Sequence, residues 1–533
     1  MSETPKHLSD AEMKDFIREG YVTLQSELPR EFHEHIYQCL EPLDEQGPVG
    51  HNNLLPCVPE LRDVLDEPAI RGALESILGP GYFLHFHRHD HVNLPDAGQP
   101  LHKDGDNHSH YAMDGFRRDH HTRFAMLFYY PQDTAFEKGP TGIVPRSQYT
   151  PRFALESKRR EMRALAEQAR EEVDALVEQG VHAREEARAL SAKRYEALVS
   201  DHPELTRELE RLDEPWERRK IPLVGGAGSV TIVHFDIAHG RYSGNLTDAQ
   251  RHMVKFLFTR QEDPTTPSWA HETPTWLESE DAQEPIWQHM WRWHLGRPEA
   301  LKDDSQPLEE LVSELESGDD VEAISAAYAL AAHGEPAVAP LMERFCCDDV
   351  VRRTVAAYGV ASLGEIAVPH LLKRLEGADE SLTARIADVL GDIGPRAKAA
   401  LPALVAMLAN SDPLVRRYAA EAIGIVGQGV DVAPSELVMS LRDDDALTRR
   451  NAELAIARLG SRAAGLEGLI EALRDNLYHD HHHVRGWAIE ALQRVGDADA
   501  MVVVLRYLQT ARWDYQPRSG DRRPPAQGRS QRD

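Results

Sequence analysis

Residues 98 to 111, GQPLHKDGDNHSHY, place three histidines and two aspartates in fourteen positions. Such a density of imidazole and carboxylate points to metal coordination. Within it, His102 and Asp104 form a His-x-Asp pair. In an extended segment the side chains of positions i and i+2 leave the same face, so both groups can converge on one ion. Two histidines and one carboxylate on one face of an octahedron make the ligand set of a non-haem Fe(II) oxygenase, with the opposite positions left open for co-substrate and oxygen. A third ligand has to come from another part of the chain.

The elements that must carry this pair are legible nearby. Residues 9 to 25 read as a capped helix running into a strand: Ser9 is the N-cap with Glu12 three residues on, and Gly20 ends the helix. Strand patterns follow in GYFLHFHRHDHVNL, TRFAMLFYY, GAGSVTIVHFDIAH and HMVKFLFTR, separated by Gly, Pro and Asp clusters. The expectation is a β core with helices at its start. Residues 151 to 219, rich in Ala, Glu, Arg and Leu, interrupt it as a surface helical insertion, read as a hairpin turning near Gly180 with a solvated charged face; a lid or dimer contact is the sharper alternative. Past residue 262 comes a Pro- and Trp-rich connector holding Trp276, Trp287, Trp291 and Trp293, aromatics expected to pack it back onto the β core.

From about residue 305 the chain repeats. Helix ends such as AAYALAAHG, AAYGVASLG and AAEAIGIVG finish on Gly334, Gly364, Gly394, Gly427, Gly460 and Gly496, at spacings of 30, 30, 33, 33 and 36. An Asp-then-Arg signature (DDVVRR, DPLVRR, DALTRR) precedes the later units. Two short helices per period, neither able to bury its apolar face alone, make a stacked α-solenoid. The pattern resembles HEAT repeats of the short kind also found in phycobilisome lyases. Three segments result: residues 1 to 300, a repeat region at 303 to 512, and a tail at 513 to 533 expected to be disordered. The change of pattern at the connector predicts two units with separate cores.

Composition sets limits. A chain of 533 residues exceeds what one core serves, and 41% hydrophobic with 28% charged residues describes a globular protein. The formal net charge of −28 argues against general nucleic-acid binding, which needs basic surface. No run of about 18 apolar residues suggests a bilayer span, and the N-terminus shows no secretory pattern. Four cysteines, two of them the adjacent Cys346 and Cys347, fit a reduced, cytoplasmic setting.

The segment TIVHFDIAHGRYSGNLTDAQRHMVKFLFTR resembles the distal-histidine region of the phytanoyl-CoA dioxygenase family, where a histidine is followed by an asparagine and then an arginine. Those positions here are His239, Asn245 and Arg251. The stretch YYPQDTAFEKGPTGIVPRSQYTP resembles the family's middle segment, keeping Gly139-Pro140 but departing at Arg146 and Gln148, where the family has Gly and His. DFIREGYVTLQ resembles its N-terminal region, so the likeness spans most of residues 9 to 295.

The resemblance implies a double-stranded β-helix, or jelly roll, with Fe(II) held by His102, Asp104 and His239. It implies 2-oxoglutarate as co-substrate, its distal carboxylate on Arg251 with Asn245 nearby and Lys255 in reserve, since a guanidinium grips a carboxylate at two points. The implied reaction decarboxylates 2-oxoglutarate to succinate while hydroxylating an unidentified small molecule or a carrier- or protein-presented substrate. A rival ligand set, His234, Asp236 and His239, would leave LHKDG unexplained. Halogenation is disfavoured by Asp104, because a small residue then replaces the carboxylate. The other reading is a solenoid binding or scaffold protein with an inactive barrel, in which the repeats engage a protein partner or a second copy. His85, His87, His89 and His91 alternate along a strand and are read first as hydrogen-bonded histidines, with contact to a substrate as the alternative. His108, His110, His120 and His121 are placed in a loop over the site. YHDHHHVR, residues 478 to 485, is read as an adventitious metal-binding loop.

Overall fold

The computed structural model describes residues 4–45, 54–93, 99–104, 120–179, 187–276, 279–298 and 306–511. The turn near Gly180, the tail at 513–533, and His108 and His110 lie outside them.

The N-terminal half is built on two antiparallel sheets. The larger has the order β1-β6-β3-β8-β2 and the smaller β5-β4-β7. The strands are β1 (Tyr21–Gln25), β2 (Phe83–Asp90), β3 (Phe124–Tyr130), β4 (Thr141–Ile143), β5 (Ile221–Pro222), β6 (Ser229–His234), β7 (His239–Arg241) and β8 (Val254–Thr259). β3, β6 and β8 are buried along their whole lengths. Their runs FAMLFYY, SVTIVH and VKFLFT therefore read as near-continuous apolar sequence, as strands covered on both faces must. The helix Asp10–Glu19 starts on Ser9 with both hydrogen bonds of a capping box to Glu12 and stops at Gly20, whose φ is +86°. Its buried Met13, Phe16 and Ile17 dock it beside β1.

The insertion is more than the expected hairpin: Phe153–Glu178 and Ala187–Ser200, which flank residue 180, pack against each other, and the described residues add a third helix, Pro203–Arg219. The second break falls at Pro203, whose missing N–H makes it a helix starter rather than a helix interior residue. The connector closes with the helix Glu284–His294, and Trp287 and Trp291 on it are fully buried. Trp269 and Trp276 pack against Trp291, at 5.2 and 5.9 Å between ring centroids; Lys14 of the first helix lies over Trp291 and His121, just before β3, stacks on Trp293, so the tryptophans hold the connector against the N-terminal half.

Paired helices then run from Leu308 to Ala511. The Asp of the repeat signature has a definite task. Asp319, Asp349, Asp379, Asp412 and Asp445 are N-caps whose carboxylates accept backbone N–H groups in the first turn of the following helix. In the last unit His481 holds that position without a side-chain cap bond. The signature arginines tie neighbours together, Arg416 to Asp443 at 2.7 Å and Arg417 to Asp445 at 2.8 Å. The stretch Val350–Arg374 is long and apolar enough to cross a bilayer, but here it belongs to the solenoid and is largely packed against its neighbours.

One expectation fails. The buried apolar cluster does not divide at the connector but runs continuously from Leu8 to Tyr507. The repeats bury their inner ends against the helix Glu284–His294, the segments flanking β3 and β8, and β2, so the two halves share a core. All four cysteines are free thiols.

Candidate metal centre

His102 and His239 are brought together by the backbone itself. They form an antiparallel bridge in which His102 N–H donates to the His239 carbonyl at 2.9 Å and His239 N–H to the His102 carbonyl at 2.8 Å. Directly opposed residues project side chains from the same face of a ladder, and the two imidazole centroids lie 4.4 Å apart. Gly240 permits the approach, since a Cβ there would sit 2.8 Å from the Pro100 carbonyl oxygen. Asp104, two residues on, completes the group: ligand atoms of His102, Asp104 and His239 all lie within 4.8 Å of one another, and no other such trio of His, Cys, Asp or Glu occurs among the described residues.

Protonation suits metal binding. His102 Nδ1 lies 2.8 Å from the Pro100 carbonyl and His239 Nδ1 3.1 Å from the Ile237 carbonyl. A carbonyl can only accept, so each ring carries a proton on Nδ1, which leaves Nε2 as the atom available to the centre. Burial, helped by neighbouring His102 and by Lys255, lowers the His239 pKa to about 3, which keeps it neutral. Burial alone would raise Asp104, but Lys255, His102 and His239 outweigh it and hold the carboxyl well below its ordinary range. The two oxygens of Asp104 face different ways: Oδ1 lies 3.6 Å from His102 Nε2, while Oδ2 accepts a hydrogen bond from Lys255 Nζ. Lys255 thus reaches the ligand carboxylate directly.

A cavity of about 410 Å³ opens beside His239 and extends to Arg251, with His89, His91, Thr141 and Met253 in its wall. Arg251 is buried, donating through Nε to the Gly139 carbonyl at 3.1 Å and through Nη1 to the His91 carbonyl at 3.0 Å. Those bonds fix a guanidinium in the cavity wall. Burial lowers its pKa, with Tyr130 and Asp90 opposing. Asn245 binds its own loop to the end of the β2 segment, donating to the Asn93 and Ala249 carbonyls and accepting from Thr247 N–H and hydroxyl. Its place is to shape the turn that delivers Arg251 to the cavity.

The Gly139-Pro140 pair also has a structural cause. Gly139 has φ +64°, and a Cβ would meet Asn93 Nδ2 at 2.2 Å. Arg146, where a glycine was expected, has φ +64° as well, an uncommon conformation for a side-chain-bearing residue. It is held there by Asp281 at 2.9 Å, by Glu19 at 3.4 Å, and by stacking over Trp287. Gln148 ties this segment to the first helix through the Ile17 carbonyl at 2.9 Å.

The competing constellation is used elsewhere. Asp236 pairs with the buried Lys103 at 3.1 Å, and the His234 ring accepts the Asp236 backbone N–H. The histidine row on β2 splits: its register against β8 slips between Leu84 and Arg88. His85 meets Trp487 and His483 of the solenoid, whereas the His89 and His91 rings meet edge to face at the cavity, 4.4 Å between centroids. His120 and His121 are buried against other aromatic rings rather than exposed over the site. Sequence reasoning missed Lys255 as a partner of Asp104; His89 and His91, from the alternating row read first as hydrogen-bonded, line the cavity instead.

A family model described as HEAT repeats matches residues 368–457 and 434–516. No curated protein matches the chain. Among solved structures, similarity is found to the non-heme alpha ketoglutarate dependent carbocyclase SnoK from nogalamycin biosynthesis, at 16% identity and TM-score 0.29, covering 49% of this chain and 88% of that one. EctD from S. alaskensis, solved with 2-oxoglutarate and 5-hydroxyectoine, matches at 12% identity and TM-score 0.31, covering 49% and 78%. A designed armadillo repeat protein in complex with a peptide matches at 22% identity and TM-score 0.27, covering 36% and 99%.

Proposed function

We propose that this chain is an Fe(II)- and 2-oxoglutarate-dependent dioxygenase that hydroxylates a small-molecule, carrier-bound or protein-presented substrate. The observation that carries the reading is the trio itself: two imidazoles and one carboxylate whose ligand atoms are gathered within 4.8 Å. That donor set fits a divalent iron and leaves half of its coordination positions open. His102, Asp104 and His239 would hold the ion. When bound, the iron and 2-oxoglutarate supply the oxidising chemistry.

The chain's own residues bind and orient. Arg251 presents a buried cation in the wall of a cavity that begins at His239, where the distal carboxylate of a five-carbon diacid finds a charge-assisted partner. Lys255 fixes Asp104. The buried sheets exclude water. The antiparallel ladders and the approach of Phe128 on the larger sheet to His239 on the smaller, 5.5 Å between rings, support reading the two sheets as facing halves of a double-stranded β-helix. Residues 1–300 are then the oxygenase part and 303–512 the repeat part of a cytoplasmic enzyme, with the outer face of the solenoid free for a partner or a second copy. Neither nucleic acid nor membrane enters this reading.

The experiment is succinate release by the full chain with iron and 2-oxoglutarate over a panel of metabolites and peptides, alongside Asp104→Ala. Loss of both metal binding and succinate release in the variant is expected. Full activity in Asp104→Ala would overturn the assignment.

A further inference from the structure

The side of the solenoid that faces the sheets is occupied along its whole length. In the helix Asp320–Ala331, Tyr328 hydroxyl lies 2.7 Å from His120 Nδ1. In the helix Val350–Leu363, Tyr358 stacks flat on the same imidazole, with centroids 4.0 Å apart and 4° between planes. The third unit supplies Asp392, 3.2 Å from the guanidinium of Arg123, which is itself clasped by both oxygens of Asp263 at 2.8 and 2.7 Å. In the fourth, Gln428 accepts from Asp263 N–H and donates to the Gln261 carbonyl, each at 3.0 Å. Arg462 of the fifth meets Glu262 at 2.8 Å. In the sixth, Trp487 packs edge-on against Phe83 and Phe86, and a Cβ on Gly486 would lie 2.4 Å from the Phe86 ring.

Two short pieces of the N-terminal half receive nearly all of this. One is residues 120–123, which enter β3. The other is residues 260–263, which leave β8 and run past the turns of successive repeats like a rail across sleepers. β8 carries Lys255, the partner of Asp104, and Arg251 lies just before its start. β3 carries Phe128, against which His239 packs. Any movement of the solenoid therefore pulls on the strands that set the ligand geometry, and the groove that repeat proteins commonly offer to partners is filled here by the protein's own chain.

We propose that the solenoid is a built-in brace of the metal centre, with Tyr328, Tyr358 and Asp392 as positioning residues that hold β3 and β8 in register beneath it. The proposal rests on the metal-centre reading above for its consequence, though not for its geometry. A metal site loosened by a fraction of an ångström loses affinity because its ligands are no longer preorganised.

The test uses the full chain and Co(II) as the probe, titrated by its visible absorption. Tyr328→Phe removes the hydroxyl contact to His120, Asp392→Asn removes the negative charge beside Arg123, Gly486→Val drives a wedge against Phe86, and the exposed Leu505→Ala serves as control. Thermal unfolding is followed by far-ultraviolet circular dichroism and by tryptophan fluorescence. The two signals should coincide in the wild type. Gly486→Val should separate them and weaken Co(II) binding about 10-fold or more, the two milder variants should weaken it several-fold, and the control should change neither. Variants that stay folded with Co(II) affinity within twofold of wild type would overturn the proposal, as would two separate transitions in the wild type. If Gly486→Val does not fold, Tyr328→Phe and Asp392→Asn decide the matter. A wild type that binds no Co(II) would instead refute the metal centre, leaving coincidence of the two transitions to judge the brace.

Discussion

At the scale of single residues, Lys255 and Arg251 divide two tasks that their common strand direction made hard to separate. Both are cations on or next to β8, four positions apart. The structure puts Lys255 on the outward oxygen of Asp104 and leaves Arg251 in the wall of the cavity. Truncating each should therefore fail differently. Lys255→Met frees Asp104 to rotate, and loss of such an outer partner typically costs about 10–100-fold in metal affinity. Arg251→Ala should leave Co(II) affinity unchanged and raise the 2-oxoglutarate KM steeply, since removing one member of a buried charged contact costs about 2–5 kcal/mol. Co(II) titration and initial rates of succinate release separate the two outcomes. An Lys255→Met protein with normal metal affinity and a raised 2-oxoglutarate KM would make Lys255 the co-substrate anchor. The ligands were legible in the sequence because His-x-Asp spacing is a local property and His239 sits in a recognisable segment. The Lys255 contact was not, because it depends on how β8 lies relative to a chain segment some 150 residues earlier, and side-chain spacing carries no record of that.

At the scale of elements, the helical insertion does more than its composition announces. Most of its charges are solvated, as the sequence pattern indicates, but its root is fastened to the ligand segments. Arg159 donates to the Leu101 carbonyl at 2.7 Å, next to His102. Trp216 covers a small buried cluster of Leu101, Val144 and Ala238, which neighbours His239. Arg152 lies over the Trp216 ring at 5.3 Å. The pattern of residues 151–219 shows the helices but not this contact, because one tryptophan and two arginines in an Arg-rich run give no periodic signal. By contrast the solenoid repeats were plain in the sequence, since each Asp N-cap and closing glycine is a local requirement repeated unit by unit. Trp216→Ala should lower stability by about 1–3 kcal/mol, less than the 3–5 typical of a fully buried tryptophan, and weaken Co(II) binding several-fold. Arg211→Ala on the same helix, paired with exposed Glu208, should do neither. Equal metal affinity in both variants, measured by titration alongside thermal melts, would reduce the insertion to an appendage.

At the scale of the whole molecule, the shared core has a chemical signature in its histidines. His120, His121, His289 and His294 are buried where the sheets, the helix Glu284–His294 and the first repeats meet. His121 and His289 face each other at 3.2 Å between Nε2 atoms, an arrangement that needs one ring to donate and the other to accept. Burial, with Arg396 and Arg292 nearby, lowers His289 to about 3, and burial with Arg123 close by holds His121 well below its usual value. These groups are neutral when folded, while the unfolded chain titrates them near pH 6.5. Below that pH the unfolded state binds protons that the folded state refuses, so stability is complete above about 6.5 and falls as pH drops towards 3. Each such histidine contributes about 1.4 kcal/mol per pH unit in that window. Four would remove about 5 kcal/mol between pH 7 and 5.5. Because the core is continuous, the loss should appear as one lowered urea midpoint for sheet and solenoid signals together, with a chelator present so that metal release plays no part. His289→Gln should recover about 1 kcal/mol of the pH-dependent change. A midpoint that stays level from pH 7 to 5.5, or solenoid helicity that persists while the tryptophan signal is lost, would mean that these histidines are not sealed between the two halves.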